Sequence, residues 1–241
     1  MGHAAHGSVN PANDISGSPR TVGVILPVLN EAGILETALT EVLEQAPDEM
    51  IVVDGDSQDA TCDIVRRHPA LHLIKAQRGR AAQMNAGAAA ARSDILLFLH
   101  ADTRLPPQAL SHVRAAIQAG HLWGRFDVRL DGARPAYRVI ERFMNLRSAI
   151  TGIATGDQAI FVRRDVFRQL GGYAPIVLME DIELSARLKR RQRPARVRAP
   201  AVTSTRRWEQ HGLLRTVLCM WRLRLLYWLG VSPARLARWY A

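Results

Sequence analysis

At 241 residues, 48% apolar and 22% charged, the chain suits one large domain with a sizeable core, with or without a C-terminal extension. Its two cysteines, Cys62 and Cys219, lie far apart, which excludes a disulfide framework or a Cys-based metal site and fits a reducing compartment. The net charge of +10 is uneven: residues 187–241 carry fourteen Lys or Arg against one acid, Glu209, while positions 1–186 are net −3, so only the C-terminal quarter could attract nucleic acid or anionic lipid.

Met1 to Arg20 holds Gly, Ser, Asn, Pro and His but no apolar signal-peptide core, and reads as a disordered leader. Thr21 to Leu29 is a Val/Ile/Leu-rich strand running into Pro27-Val28-Leu29-Asn30-Glu31. Ile34, Leu35, Ala38, Val42 and Leu43 give the next segment, Ala32 to Gln45, a helical stripe. Asn30 suits its cap and Glu31 its positive end; the same turn is also placed to grip a nucleotide at the sheet edge. A second strand, Met50 to Val53, ends in Asp54-Gly55-Asp56-Ser57-Gln58-Asp59. Three carboxylates at one strand end are costly unless solvated, paired or bound to ligand. Ser57 and Asp59 suit the start of the next helix, Asp59 to Arg67. Asp54 and Asp56 are left to accept hydrogen bonds from a ribose or a base.

A third strand, Leu71 to Lys75, precedes Arg78-Gly79-Arg80-Ala81-Ala82-Gln83-Met84-Asn85-Ala86-Gly87, which opens an Ala-rich helix. Arg78 and Arg80 at that N-terminus suit a diphosphate, with Gln83 and Asn85 as further donors; an exposed helix with a basic start is the plain alternative. Ile95 to Leu99, five apolar residues in a row, reads as a central strand covered on both faces. It delivers His100 and Asp102 to the sheet's carboxyl end, where ligands of open α/β sheets bind and where both can hold a divalent metal.

A helix from Pro106 or Pro107 to Gly120 and a half-exposed strand, Gly124 to Leu130, complete a β-α-β-α-β-α-β-α-β succession, read as a parallel sheet flanked by helices. Tyr137 to Ile150 is helical, with Val139, Ile140, Phe143, Leu146 and Ile150 on one stripe. A Gly-containing loop, Thr151 to Gln158, leads to a short strand, Ala159 to Val162, and a short helix, Asp165 to Leu170. A helix opened by Met179-Glu180-Asp181 runs to about Arg191; acids suit its first turn. The polar Thr203–Trp208 follows. Leu213 to Val231 is dense in large apolar residues but broken by Arg215, Arg222 and Arg224. Three arginines argue against a membrane span. Two readings stand: an amphipathic helix in a lipid interface, or a helix packed on protein.

Taken together, Pro27–Glu31, Asp54 with Asp56, Arg80–Gly87, His100-Ala101-Asp102, Gly156-Asp157-Gln158, Glu180-Asp181 and Arg206-Arg207-Trp208 resemble the family 2 glycosyltransferases of the GT-A fold, over roughly Val22 to His211. The resemblance implies a mostly parallel, Rossmann-like sheet flanked by helices. With the compositional readings of the two ends, the chain divides into a leader (1–20), a transferase domain (21–211, with a nucleotide-binding half 21–130 and an acceptor half 131–211) and an amphipathic helical tail (212–241). It places Pro27, Asn30 and Glu31 in the nucleotide pocket, Asp54 and Asp56 on base and ribose, and Arg80, Gln83 and Asn85 near the diphosphate. Asp102 matches the last acid of the family's metal motif, for Mg²⁺ or Mn²⁺, and His100 stands where the first acid is usual. Asp181, beside Glu180, is the implied general base. Gly156, Asp157 and Gln158 belong to the acceptor site, and Arg206, Arg207 and Trp208 close over diphosphate or acceptor.

The implied reaction is inverting transfer from a nucleotide sugar, with UDP favoured, to a hydroxyl or carboxyl acceptor. A cytoplasmic enzyme that meets its acceptor at a membrane surface through its tail fits the composition; nucleic acid does not, because large apolar residues separate the tail arginines. Two other readings compete. A nucleotidyltransferase would show a Gly-rich basic loop after the first strand, where Pro-Val-Leu-Asn-Glu stands. A non-enzymatic membrane-surface protein leaves the strand-end carboxylates without a task.

Overall fold

The computed structural model describes residues 20–240; the expected leader lies outside them except for Arg20. In chain order the elements are β1 (Val22–Val28), α1 (Ala32–Leu43), β2 (Glu49–Asp54), α2 (Thr61–Arg66), β3 (His72–Lys75), α3 (Arg80–Ala90), β4 (Ile95–Phe98), β5 (Thr103–Arg104), α4 (Ala109–Gln118), β6 (Trp123–Leu130) and α5 (Pro135–Thr151). A 3-10 turn (Gly156–Gln158), β7 (Phe161–Arg163), α6 (Arg164–Gln169), α7 (Glu180–Arg191), β8 (Ala195–Thr203), α8 (Arg206–His211), α9 (Leu213–Trp228) and α10 (Pro233–Tyr240) complete it.

The strands form one eight-stranded sheet in the order β3-β2-β1-β4-β7-β6-β8-β5. Its first four strands run parallel, and their residues alternate between two cores. Val24 and Leu26 of β1, Val52 of β2 and Leu97 of β4 face α1, α2 and α4. Ile25, Ile51, Val53, Leu96 and Phe98 face α3, α6 and α7. Two covered faces explain the uninterrupted apolar runs. Gly87 lets α3 lie close on the sheet, since a Cβ there would stand 2.5 Å from Ile25 Cγ2.

Three expectations change in the second half. The sheet is not a simple run of five parallel strands: β7 enters antiparallel between β4 and β6, and β8, absent from the sequence reading, pairs in parallel with β6. Nor is β6 half-exposed, because Arg125 and Asp127 on its polar alternation are buried. Arg125 and Arg196 of β8 both bond the Asp127 carboxylate there.

The third change is α5. Val139, Phe143, Leu146 and Ile150 are all more than half exposed, while Tyr137, Glu141 and Ser148 are buried. The reason lies in β6, which pairs with β7 only at Trp123 and Gly124. The rest of that edge needs partners. Asn145 bonds both the N–H and the C=O of Val128, at 2.8 and 2.9 Å, and Glu141 accepts the N–H of Leu130 at 2.6 Å. The polar side of α5 is therefore turned inwards and its apolar stripe outwards.

The tail packs on the domain with one side only. Leu223 and Leu236 are buried against Met179. Leu218, Trp221, Leu225 and Trp228 are exposed. Among the described residues no helix is long and apolar enough to cross a membrane.

Candidate active site

The turns after β1 and β2 are laced to each other. Asn30, in the left-handed region that Asn tolerates, accepts the N–H of Gln58 at 2.8 Å and donates its own N–H to Ser57 Oγ at 2.9 Å. Glu31 N–H bonds Thr61 Oγ1 at 2.9 Å. Asn30 therefore does not cap α1 as expected; the Asp59 carboxylate takes the Ala32 N–H across the turn, and Ser57 is spent on Asn30 instead of capping α2. Pro27, in β1, lies opposite Val53.

Asp54 and Asp56 part company. Asp54 is fully buried and accepts the N–H groups of Asp56 and Ser57. Burial works to raise its carboxyl, but bonds from Ser57, Cys62 and Asp56 outweigh it and hold the pKa below the ordinary range. Asp56 is exposed, with a φ of 73°.

In α3 the structure spends the amides of Gln83 and Asn85 on the fold. Gln83 Nε2 donates to the carbonyls of Val28 and Val53, each at 2.8 Å, tying together the ends of β1 and β2. Asn85 pairs with the N–H and C=O of Tyr173, both at 2.8 Å. Arg80, exposed at the first turn, contributes positive charge to Glu31, Asp157 and Glu180.

The β4 exit divides His100 from Asp102. His100 turns towards the acceptor half, its Nδ1 3.8 Å from an Asp157 carboxylate oxygen. Its ring fills the space beside Gly156, where a Cβ would stand 2.3 Å from His100 Cε1. Burial would raise the Asp157 carboxyl, but His100, Arg80 and Arg224 hold it below the usual range. Asp102 is anchored through its backbone, whose C=O accepts Ser204 N–H at 3.1 Å, while β5 pairs with the end of β8. Among the described residues its carboxylate accepts only a long 3.4 Å contact from Thr103.

Asp102 shares its field with Glu31, whose pKa is raised by burial first, with Asp102 and Asp59 adding to it against Arg206 and Arg80. Arg206 at the start of α8 stands 3.9 Å from Glu31, so the segment after β8 reaches back to the first turn. Trp208 is half-buried on the same helix, and the Arg207 side chain lies outside the described residues.

Glu180 and Asp181 open α7 after Met179, itself left-handed with φ 69°. Asp181 Oδ2 accepts Gly156 N–H at 2.8 Å and Oδ1 accepts Ile182 N–H at 2.7 Å. Glu180 is buried beside it; burial first, then repulsion from Asp181, raises its pKa. Both line a small pocket with His100, Gly156, Phe98, Tyr173, Met84 and Ile160. Gln158 is fully buried in a reciprocal cap with Thr155 and does not reach the pocket.

A divalent ion fits the donor chemistry around Asp102. Among the described residues no three His, Cys, Asp or Glu side chains converge. Mg²⁺ and Mn²⁺ that serve phosphates take one or two carboxylates and complete their shell with phosphate oxygens and water. Asp102, an under-used carboxylate at a strand end, meets that requirement.

The sequence reading missed Tyr173, because nothing marks a lone tyrosine after Gly171-Gly172 as facing a pocket; its burial beside Asp181 and Glu180 keeps the phenol protonated. It also missed Arg147, and read Arg224 only as a break in the apolar run of the tail. Both share the field of Asp157 and Asp181.

Known proteins carry the same plan. The sequence model of Glycosyl transferase family 2 matches residues 23–171. A probable glycosyltransferase of Bacillus subtilis, YdaM, is 27% identical over 84% of this chain and 53% of its own length. The undecaprenyl-phosphate 4-deoxy-4-formamido-L-arabinose transferase of Aeromonas hydrophila is 26% identical over 42% of this chain and 35% of its own. The chain thus spans about half or less of these curated relatives. Among solved structures, S. aureus TarS (residues 1–349) superposes with a TM-score of 0.65 at 17% identity, over 77% of this chain and 60% of that one. The mannosyltransferase PcManGT of Pyrobaculum calidifontis, in complex with GDP-Man and Mn²⁺, gives 0.61 at 23% identity, over 86% and 61%. With the family model covering well over half of the chain, and its fold that of GT-A enzymes, this protein belongs to glycosyltransferase family 2.

Proposed function

We propose that this glycosyltransferase moves a sugar from a nucleoside diphosphate sugar to an acceptor nucleophile by one inverting displacement. The observation that carries the reading is the placement of Asp181: its carboxylate is fixed by Gly156 N–H in a pocket at the carboxyl end of β4, and the positive charge of Arg80 reaches both its neighbour Glu180 and Glu31, which feels Asp102. PcManGT, of the same fold, was solved with GDP-Man and Mn²⁺, which supports a nucleotide sugar and a divalent ion. The Aeromonas relative acts, by its name, on undecaprenyl phosphate, which supports a lipid-linked acceptor.

Each residue has a task in that reaction. The laced turns of Asn30 and Ser57, with exposed Asp56, receive the nucleoside. Gln83 and Asn85 hold the strand ends and the Tyr173 loop in place. Arg80 and Arg206 bring positive charge to the diphosphate. Asp102 would hold a Mg²⁺ or Mn²⁺, which would supply charge neutralisation at the leaving diphosphate. Asp181 accepts the proton of the acceptor oxygen as that oxygen attacks the anomeric carbon from the opposite side. Glu180, buried and repelled by Asp181, is pushed towards its neutral form. His100 and Asp157 border the acceptor side.

Product analysis tests the reading. Incubation with UDP- and GDP-hexoses should release the nucleoside diphosphate in an acceptor-dependent way. Release of pyrophosphate from a nucleoside triphosphate and a sugar phosphate would replace it with nucleotidyl transfer.

A further inference from the structure

Arg147 of α5 and Arg224 of α9 are half-buried, and among the described residues neither guanidinium makes a hydrogen bond or an ion pair. Arg147 Nη2 is fully enclosed with no partner. A guanidinium keeps its charge and offers five N–H donors, so burying one without partners is costly. The cost is visible here: burial, with repulsion from Arg224, pushes Arg147 down to about 9 against the pull of Asp181. Arg224 is lowered by burial too, against Asp181 and Asp157.

The helices that carry the two arginines also carry the largest exposed apolar stripes. Arg147 lies one turn beyond Phe143 and next to Leu146, on the flank of the outward stripe of α5. Arg224 sits beside Leu225 and three residues after Trp221, on the flank of the outward stripe of α9. Trp221 and Trp228 are 66% and 79% exposed. Two unpartnered forks that share the field of the proposed base, each edged by apolar surface, match an anion that carries an apolar chain.

We infer that Arg147 and Arg224 form the binding site for the phosphate of an amphiphilic acceptor, a phosphomonoester whose long apolar chain lies along the exposed stripes of α5 and α9. This rests on the proposed transferase reading and names its acceptor class. In the step it implies, an oxygen of the acceptor phosphate forms a bond to the anomeric carbon while the bond from that carbon to the donor diphosphate breaks. The leaving nucleoside diphosphate keeps the electron pair. A monoprotonated phosphate gives its proton to Asp181. The guanidiniums hold the acceptor's other oxygens beside a carboxylate that would otherwise repel them.

Calorimetric titration of the whole protein with dodecyl phosphate, dodecanol and inorganic phosphate tests the site, with Arg147→Gln, Arg224→Gln and Arg147→Lys as variants. Dodecyl phosphate should bind, each Gln variant should weaken it at least tenfold, and Arg147→Lys, which keeps charge but loses the fork, should weaken it several-fold. Dodecanol should not bind, and inorganic phosphate should bind at least a hundredfold more weakly with the same dependence on the arginines. Because these charges cost stability, the Gln variants should melt no lower than wild type without ligand. A lower Tm in both would make the arginines structural and overturn the site. So would equal binding of dodecanol and dodecyl phosphate, or wild-type affinity in the variants. Inorganic phosphate binding as tightly as dodecyl phosphate would remove the apolar chain from the proposal. Binding of UDP or GDP with Mn²⁺, measured on the same samples, separates the failures: loss of the arginine effect with nucleotide binding intact refutes this site alone, whereas absence of nucleotide binding refutes the transferase reading.

Discussion

The two sides of the cleft are finished to different degrees. On the side of β1, β2 and α3, polar groups are already paired: Asn30 with Gln58 and Ser57, Asp54 with the Asp56–Ser57 backbone, Gln83 with two strand carbonyls. On the side of α5 and α9, two guanidiniums are unpartnered among the described residues, and four apolar residues of α5 face outwards. A side whose hydrogen bonds are complete is preorganised and pays little on binding. A side with buried charge left unpaired is held in readiness for a partner that supplies the missing contacts. The difference suits an enzyme with a soluble, polar donor and an acceptor of another kind.

The largest expected effect breaks the comparison at its meeting point. Asp181→Asn keeps an acceptor for Gly156 N–H but removes the base, so the transfer rate should fall about 10²–10⁴-fold while nucleotide affinity stays near wild type. Steady-state release of nucleoside diphosphate reads the first and calorimetry the second. A rate near wild type would remove Asp181 from the proton transfer.

The paired side should respond through stability. Asp54→Ala leaves the N–H groups of Asp56 and Ser57 without their buried acceptor, and should cost about 2–3 kcal/mol in urea unfolding. Asp56→Ala, at an exposed neighbour, should stay within about 0.5 kcal/mol of wild type yet weaken nucleotide binding. Equal stability losses in the two variants would contradict the division of labour. Asn85→Ala frees both backbone groups of Tyr173 and should cost about 1–2 kcal/mol.

A smaller effect depends on pH. Burial first, then Asp181, raises Glu180 above the ordinary 4.5, so the native state keeps a proton that the unfolded chain has lost. Stability therefore falls as pH rises past 4.5, and the penalty is complete above the native pKa. Glu180→Gln should raise Tm at pH 8 and have less effect at pH 4. A Tm gain of the same size at both values would show that ionisation of Glu180 is not what costs the fold.

The parallel half of the fold was legible because its signal is local. Five apolar residues at Ile95–Leu99 require cover on both faces, and the crossovers then leave few topologies. The acceptor half was not, because its cause is non-local. The stripe of Val139, Phe143, Leu146 and Ile150 is an ordinary core pattern, and only the unpaired edge of β6 turns Glu141 and Asn145 inwards in its place. In the same way, Arg125 and Asp127 look solvent-facing until Arg196, 69 residues on from Asp127, completes their pairing. At the site, sequence order gathered Glu180, Asp181, His100 and Gly156, which the structure brings to one pocket. It could not separate buried Asp54 from exposed Asp56, since both stand at the end of the same strand and only backbone geometry divides them.

The measurement closest to the central claim is calorimetric binding of UDP and GDP, each with and without Mn²⁺, to wild type and Asp102→Ala. The account predicts that one nucleotide binds in a Mn²⁺-dependent way and that Asp102→Ala weakens it at least tenfold. Folded protein that binds neither nucleotide, or binds one with the same affinity with and without Mn²⁺ in both proteins, would contradict it.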